Sequence, residues 1–238
     1  MTAAELHAEL LKAAAEPLFG IATTVAAYAV SAGLHRRFRW LHPLLPTCGA
    51  LIALLLLGHI PYESYKRGGD LIVFFLGPAT VALGVPLYKQ AKQIRRHVLA
   101  LATGIAAGSA AGIGSAALFV WLFHGSHVVL LSMLPKSVTT PISMALAEQL
   151  QGDPKLTAVF TVIAGLIGSI AGPRLLRLCG VRGDLAIGAA MGASSHGIGA
   201  ARVIRENELQ GGVSGLAMAL AGIITSLLTI PLVWWMGR

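Results

Sequence analysis

The sequence predicts an all-α integral membrane protein of seven or eight transmembrane elements, several of them broken, arranged as two inverted-topology repeats of a transporter-like kind. Three observations lead there. Of 238 residues, 55% are hydrophobic and 12% charged, with a mean hydropathy of +0.74, whereas a soluble domain carries about a quarter charged residues. The apolar residues form long blocks without helical or strand periodicity, a pattern suited to lipid. The 28 glycines suit membrane helices packed closely through small residues.

Charge and cysteine content exclude other classes. The net charge is +8 and the pI about 10.0, but the cations sit in three short runs between apolar blocks. That distribution orients loops and does not make a nucleic-acid-binding face. Cys48 and Cys179 lie in or beside apolar blocks, where core thiols are expected, with no disulfide framework, metal cluster or cofactor site. Met1 to Glu16 has no basic n-region and places Leu6, Leu10 and Leu11 at helical spacing. A short amphipathic lead-in helix is expected there in place of a signal peptide.

In chain order, blocks able to cross or nearly cross about 30 Å of hydrocarbon run over 17–34, 41–60, 70–88, 97–123, 126–147, 155–173, 184–201 and 211–236. Helix breakers interrupt three of them: Gly77, Pro78, Gly84 and Pro86 in the third, Pro135 and Pro141 in the fifth, Gly192, Gly197 and Gly199 in the seventh. The positive-inside rule places Arg36, Arg37 and Arg39, then Lys89, Lys92, Arg95 and Arg96, then Arg174, Arg177 and Arg182 in the cytoplasm. The balanced loops with Glu63, Lys66, Arg67 and Asp70, and with Arg202, Arg205, Glu206 and Glu208, go outside, as do Glu148, Asp153 and Lys155. This arrangement works if every element crosses except the fifth, which enters from outside and returns. The amino terminus is then outside and the carboxyl terminus inside.

Elements two to four and six to eight begin about 114 residues apart, at 41 and 155, each set being helix, broken helix, helix. Their opposite orientations make repeats of roughly 41–123 and 155–236, joined by 126–147 within one domain of 1–238. Direct identity between the halves is slight. Secondary carriers use such repeats, with substrate held where broken helices meet near the midplane.

Three segments could carry chemistry. Lys136, in Leu134-Pro135-Lys136-Ser137-Val138-Thr139-Thr140-Pro141, is the one Lys, Arg, Asp or Glu well inside a membrane element, and such a charge is a functional-site hypothesis by default. No intramembrane carboxylate is available to pair with it, so an anionic substrate would complete the pair. Ser137, Thr139 and Thr140 add hydroxyl donors. The alternative is an interfacial loop with a snorkelling lysine. In the second segment, 192–202, three glycines surround Ser194-Ser195-His196, a helix break whose amides could bind an anion. His196 could bind substrate or carry a coupling proton, or be a neutral histidine hydrogen-bonded between helices. A serine hydrolase is disfavoured: no orienting acid and no Gly-x-Ser-x-Gly elbow are present. Nor is there the strand context of a dinucleotide fingerprint. In the third segment, 75–88, Thr80 would face Ser194 across the pseudo-two-fold axis; a Pro-kinked structural helix is the alternative. His59, His124 and His127 lack metal-ligand spacing and, with Trp40, Trp121, Trp234 and Trp235, suit the membrane interface.

Together and in this order, FLGPATVALGVPLYKQ (75–90), LPKSVTTPIS (134–143), GDPKLTAV (152–159) and GASSHGIGAAR (192–202) closely resemble the LrgB family, also called CidB/LrgB or antiholin-like. The resemblance covers about residues 20 to 236. Many members have an acidic residue where Met144 and Ala145 stand here, and often Thr at the position of Ala200, so coupling in this chain would differ if that acid matters. The resemblance implies a multi-pass protein of the bacterial inner membrane, often encoded with a small LrgA-like partner. It also implies two roles: modulation of murein hydrolase activity and lysis, and handling of small carboxylates such as pyruvate, since the plastidial glycolate/glycerate translocator of plants contains a similar domain. The residues favour the second, as a carrier and not an enzyme. Lys136 and the Ser194–Gly199 amides would hold a carboxylate, Thr80, Thr139 and Thr140 would read its hydroxyl or keto group, and His196 would link a proton. A homodimer is the prior for such carriers.

Overall fold

The structure, a computed structural model, describes residues 12–38, 42–82 and 84–236. The lead-in leucines Leu6, Leu10 and Leu11, together with Arg39 and Trp40, fall outside the described residues, as do the side chains of Thr80 and Trp235. All regular structure described is helical: α1 (Pro17–Arg37), α2 (Leu44–Leu57), α3 (Tyr62–Phe74), α4 (Leu76–Ala82), α5 (Gly84–Lys89), α6 (Ala91–Arg96), α7 (Val98–Leu122), α8 (His127–Met133), α9 (Thr140–Gln149), α10 (Pro154–Leu178), α11 (Asp184–Val203) and α12 (Glu208–Met236). Among them α1, α7, α10 and α12 contain stretches long and apolar enough to cross a membrane, and α2 is apolar but shorter. The third and fifth blocks are short helices instead of continuous spans. Pro78 and Pro86 each stand third in their helices α4 and α5, in the first turn where the missing N–H costs no hydrogen bond.

The chain divides into two compact units, Met1–Ala82 and Leu83–Arg238. In the first, α1 and α3 approach backbone to backbone: a Cβ on Gly20 would meet the Tyr65 carbonyl, and one on Gly68 the Pro17 carbonyl. The Thr24 hydroxyl and Tyr65 phenol lie 2.9 Å apart across the same contact.

The second unit contains the fourth to eighth blocks. Local sequence sets its helix starts. Asp153 caps α10 by accepting from the amides of Lys155 (2.8 Å) and Leu156 (3.2 Å), with Pro154 following, the cap-then-proline order that suits a helix N-terminus. The Asn207 side chain accepts from Leu209 N at 2.8 Å ahead of α12. The core joins α7 to α12 through Leu101 and Ile105 against Val213, Ala217 and Ala221, with Leu185, Ala189 and Ala193 of α11 packed alongside.

The seventh block does not cross. At His196 the backbone has φ 41° and ψ −135°, a left-handed conformation that a non-glycine residue adopts only under constraint. There the chain doubles back. Met191 and Gly199 would be about 12 Å apart along a straight helix at 1.5 Å per residue, yet a Cβ on Gly199 would stand 2.6 Å from the Met191 carbonyl oxygen. The outgoing arm runs parallel to α12: Gly188 faces Gln210, and Gly192 faces the Ser214 backbone. α11 is therefore a helical hairpin whose two ends share one end of the unit.

This corrects the sidedness read from charge. Lys89 Nζ lies 2.8 Å from Glu208 Oε1, and Gln210 Nε2 donates to Asp184 Oδ1 at 2.7 Å. The loop with Arg202, Arg205, Glu206 and Glu208 accordingly shares an end with Lys89 and Asp184; the sequence places it opposite. The far part of α12 then lies beside Gln149, where Ser226 and Ile230 share a shallow cavity with Ala145 and Gln149. That is the end opposite Lys89, whereas the charge reading puts the carboxyl terminus on the Lys89 side. An 18-residue apolar block looks like a span, but each hairpin arm is about half a span long. The fifth block folds back on itself. Its tip, Lys136 and Ser137, reaches Gly112, while Gly152 and Asp153 pack back on Ser132.

Cys48 and Cys179 also differ from expectation, both being exposed. Cys48 points away from the α2 side on which its neighbour Thr47 is buried, and Cys179 is the residue that ends α10. His59, His124, His127, Trp121 and Trp234 are all exposed.

The hairpin predicts a labelling pattern. In a background with both native cysteines replaced, Arg95→Cys and Arg205→Cys react with an impermeant maleimide from the same face of the membrane, and Gln151→Cys from the other. Labelling of Arg95→Cys and Arg205→Cys from opposite faces would show α11 to be a span.

Candidate functional site

Two interrupted elements meet in the interior of the second unit. Lys136, half-buried, donates from Nζ to the Gly112 carbonyl at 3.4 Å. Among the described residues no carboxylate oxygen lies within 4 Å of this ammonium. Gly112 is about 21 Å from the start of α7 and about 15 Å from its end, at 1.5 Å per residue, so the charge sits at mid-depth of a 25-residue helix. Pro135, fully buried, precedes it. The turn ends at Thr139, the cap position of α9, with Pro141 in the first helical turn.

Ser137 and Ser194 line the same cavity, of about 610 Å³. One wall is α7, through Gly104, Gly108 and Gly112, and the other is the outgoing arm of α11, through Ala186, Ala189 and Ala193. His97 and Leu185 lie at one end, where both helices begin, and Gly112, Ser137 and Ser194 at the other. The Ser194 hydroxyl donates to the Ala190 carbonyl at 2.7 Å and lies 3.1 Å from the Ser195 hydroxyl.

Ser195 and His196 turn the other way, into α10. Both are buried. A Cβ on Gly168 would overlap the Ser195 hydroxyl, and one on Gly165 would stand 2.7 Å from the His196 ring. His196 Nε2 lies 3.0 Å from the Thr161 carbonyl oxygen; a carbonyl can only accept, so Nε2 carries the hydrogen. The Thr161 hydroxyl in turn lies 2.9 Å from that of Ser143, which also lies 2.9 Å from the Thr140 carbonyl. Ser143 N donates to the Thr139 carbonyl at 2.8 Å. The segment 134–143 and the segment 192–202 are thus tied together through one residue of α10.

The predicted site residues therefore divide. Ser137 and Ser194 are at the head of the cavity with Gly112, and Lys136, which does not line it, bonds to the Gly112 carbonyl from behind. Thr139 and Thr140 are half-buried and reach the network through their carbonyls. Ser195 and His196 form the buried hairpin tip, Gly197 is exposed, and Gly199 is the close contact between the arms. Thr80 belongs to α4 of the first unit. The sequence reading missed Thr161, Ser143, Gly165, Gly168 and Gly112. Their signal was present as small residues recurring on one helix face, Thr161-Gly165-Gly168 in α10 and Gly104-Gly108-Gly112 in α7, the pattern by which membrane helices admit a close neighbour.

Comparison with known proteins adds identity to this geometry. A model of the LrgB-like family matches residues 24–236. Two Bacillus subtilis proteins, the uncharacterized proteins YxaC and YwbG, are 39% and 38% identical to this chain over 91% and 85% of its length, and over 94% and 91% of their own. The antiholin-like protein LrgB of the same organism is 31% identical over 90% of this chain and 94% of its own length. No solved structure matches.

The hairpin seat gives a stability prediction. Gly168→Val forces side-chain atoms into the volume of Ser195, and overpacking of this kind costs about 1–3 kcal/mol. The purified variant should melt several degrees lower in detergent, while Gly104→Ala, with no atom within 4 Å of its Cβ, melts as the parent does. Equal melting of all three would mean the tip does not rest on α10.

Proposed function

This chain belongs to the LrgB-like family, and we propose that it is a multi-pass inner-membrane carrier of small monocarboxylates of the glycolate, glycerate and pyruvate class, working by alternating access. The observation that carries this is the Lys136 ammonium at mid-depth, bonded to a backbone carbonyl and with no carboxylate beside it among the described residues. A cation in that position is costly unless compensated, and an anion arriving through the cavity compensates it.

The head of the cavity suits a carboxylate. Lys136 supplies a charge-assisted hydrogen bond, the Ser137 and Ser194 hydroxyls can donate to the second oxygen or to a 2-hydroxy group, and α9 begins just beyond, with the positive end of its dipole toward the tip. The Ser194–Gly199 turn would add backbone amides. Thr139 and Thr140 would read the hydroxyl or keto group in one state of the cycle. His196 would link a proton: its Nε2–H is engaged by Thr161, which leaves Nδ1 to exchange. With α7 and α12 both starting at the Lys89 end, the fourth and eighth elements run the same way, which removes the opposite orientation of the halves 41–123 and 155–236 that an inverted repeat requires; a homodimer and a small LrgA-like membrane protein are the expected partners.

A second reading is favoured by the relative whose name is antiholin-like protein LrgB: a pore-forming or regulatory membrane protein that modulates murein hydrolase activity and lysis. Uptake of labelled glycolate, glycerate and pyruvate into proteoliposomes separates the two. A carrier gives saturable, mutually competing uptake, and a pore gives unsaturable leak of unrelated solutes. Lys136→Met should cut carrier uptake at least about tenfold, since a hydrogen bond to a charged group contributes roughly 1.5–3 kcal/mol. Parental uptake by this variant would remove Lys136 from the site.

A further inference from the structure

We propose that the cleft between α7 and α11 takes monocarboxylates bearing an apolar tail of several carbons, the head at Ser137 and Ser194, beside the Gly112 carbonyl that Lys136 bonds, and the tail along the two helices toward His97 and Leu185. This rests on the carboxylate reading above and extends it from the head of the site to its length. The volume is the first argument. About 610 Å³ falls within the range of pockets for drug-sized ligands, roughly 300–1,000 Å³, and at about 30 Å³ per water it would hold about twenty waters. A two- or three-carbon acid occupies a small corner of it.

The distribution of chemistry is the second argument. Among the lining residues the polar side chains are His97 at one end and Ser137 and Ser194 at the other. Between them the wall is Gly104, Gly108 and Ile105 from α7 and Ala186, Ala189 and Ala193 from α11. Nothing along that stretch donates or accepts from a side chain, and the backbone polar groups there are engaged in helices. A vestibule for hydrated ions would present polar groups along its length; this one presents them at its head. Burying hydrocarbon against such walls contributes to binding in proportion to the area removed from water. The third argument is charge complementarity. The ammonium bonded to Gly112, a residue of the head, selects an acid over a neutral amphiphile or a lipid chain, because without an anion it stays uncompensated.

The glycines supply the test. Gly104 and Gly108 have no atom within 4 Å of an added Cβ, so a larger side chain enters the cleft and not a neighbouring helix. The purified full-length protein in detergent is titrated calorimetrically with acetate, butyrate, hexanoate and hexanamide. Affinity should rise up to about fourfold per added methylene, making hexanoate at least tenfold tighter than acetate, with hexanamide far weaker. Gly108→Leu, or Gly104→Leu should the first fail to fold, should bring hexanoate down to the level of acetate and leave acetate unchanged. Acetate and hexanoate binding equally, both lost in Lys136→Met, would overturn the tail site and leave the carboxylate carrier standing. Hexanamide binding as tightly as hexanoate would show a plain apolar groove and also overturn it. Absence of binding by every acid would remove the carboxylate reading and this inference with it.

Discussion

A chain that turns round part-way through a membrane leaves peptide N–H and C=O groups without helical partners, and lipid offers them none. The turn must therefore be enclosed by protein, and in this molecule the enclosing surface is one face of α10. Thr161 presents its carbonyl to the His196 ring, Gly165 and Gly168 give up their side-chain volume to His196 and Ser195, and the tip is held in a positive-φ backbone conformation. Most of the site geometry follows from this seat. With the tip fixed, the outgoing arm of α11 lies parallel to α12, Ser194 is directed away from α10, and a cleft remains between the arm and α7.

The same residue of α10 holds the other interrupted element. The Thr161 hydroxyl pairs with Ser143, which sits at the start of α9 just past the Lys136 turn. Hydrogen bonds between membrane helices contribute modestly, about 0.6 kcal/mol on average, so the link is better understood as setting position than as supplying stability. It couples the Lys136 turn to the His196 turn, so a movement of either against α10 is felt by the other.

The broken elements were legible in outline. Pro78, Pro86, Pro135 and Pro141 stand at helix starts or between helices, as proline's missing N–H requires, and Lys136 stood out because a charge in an apolar block is expensive. Thr161, Ser143 and the glycine faces were not singled out: small residues every three or four positions are common to any close-packed membrane helix, and their pattern does not say which neighbour they admit. The cysteines were misjudged for a related reason. In a membrane protein an apolar neighbourhood in sequence can face lipid as readily as core, so exposure does not follow from hydropathy.

By itself the sequence determined that the chain is helical and built for lipid, where its helices break, and which few polar groups lie among apolar ones, because these depend on composition and local backbone chemistry. The tertiary structure alone decided that the seventh block returns to the end it came from. Hydropathy measures how much apolar chain there is, and about eighteen residues can be one crossing or two half-crossings. The choice between them rests on long-range contacts, the His196–Thr161 hydrogen bond and the Lys89–Glu208 and Asp184–Gln210 pairs, which join residues far apart in the chain and leave no mark in any local window.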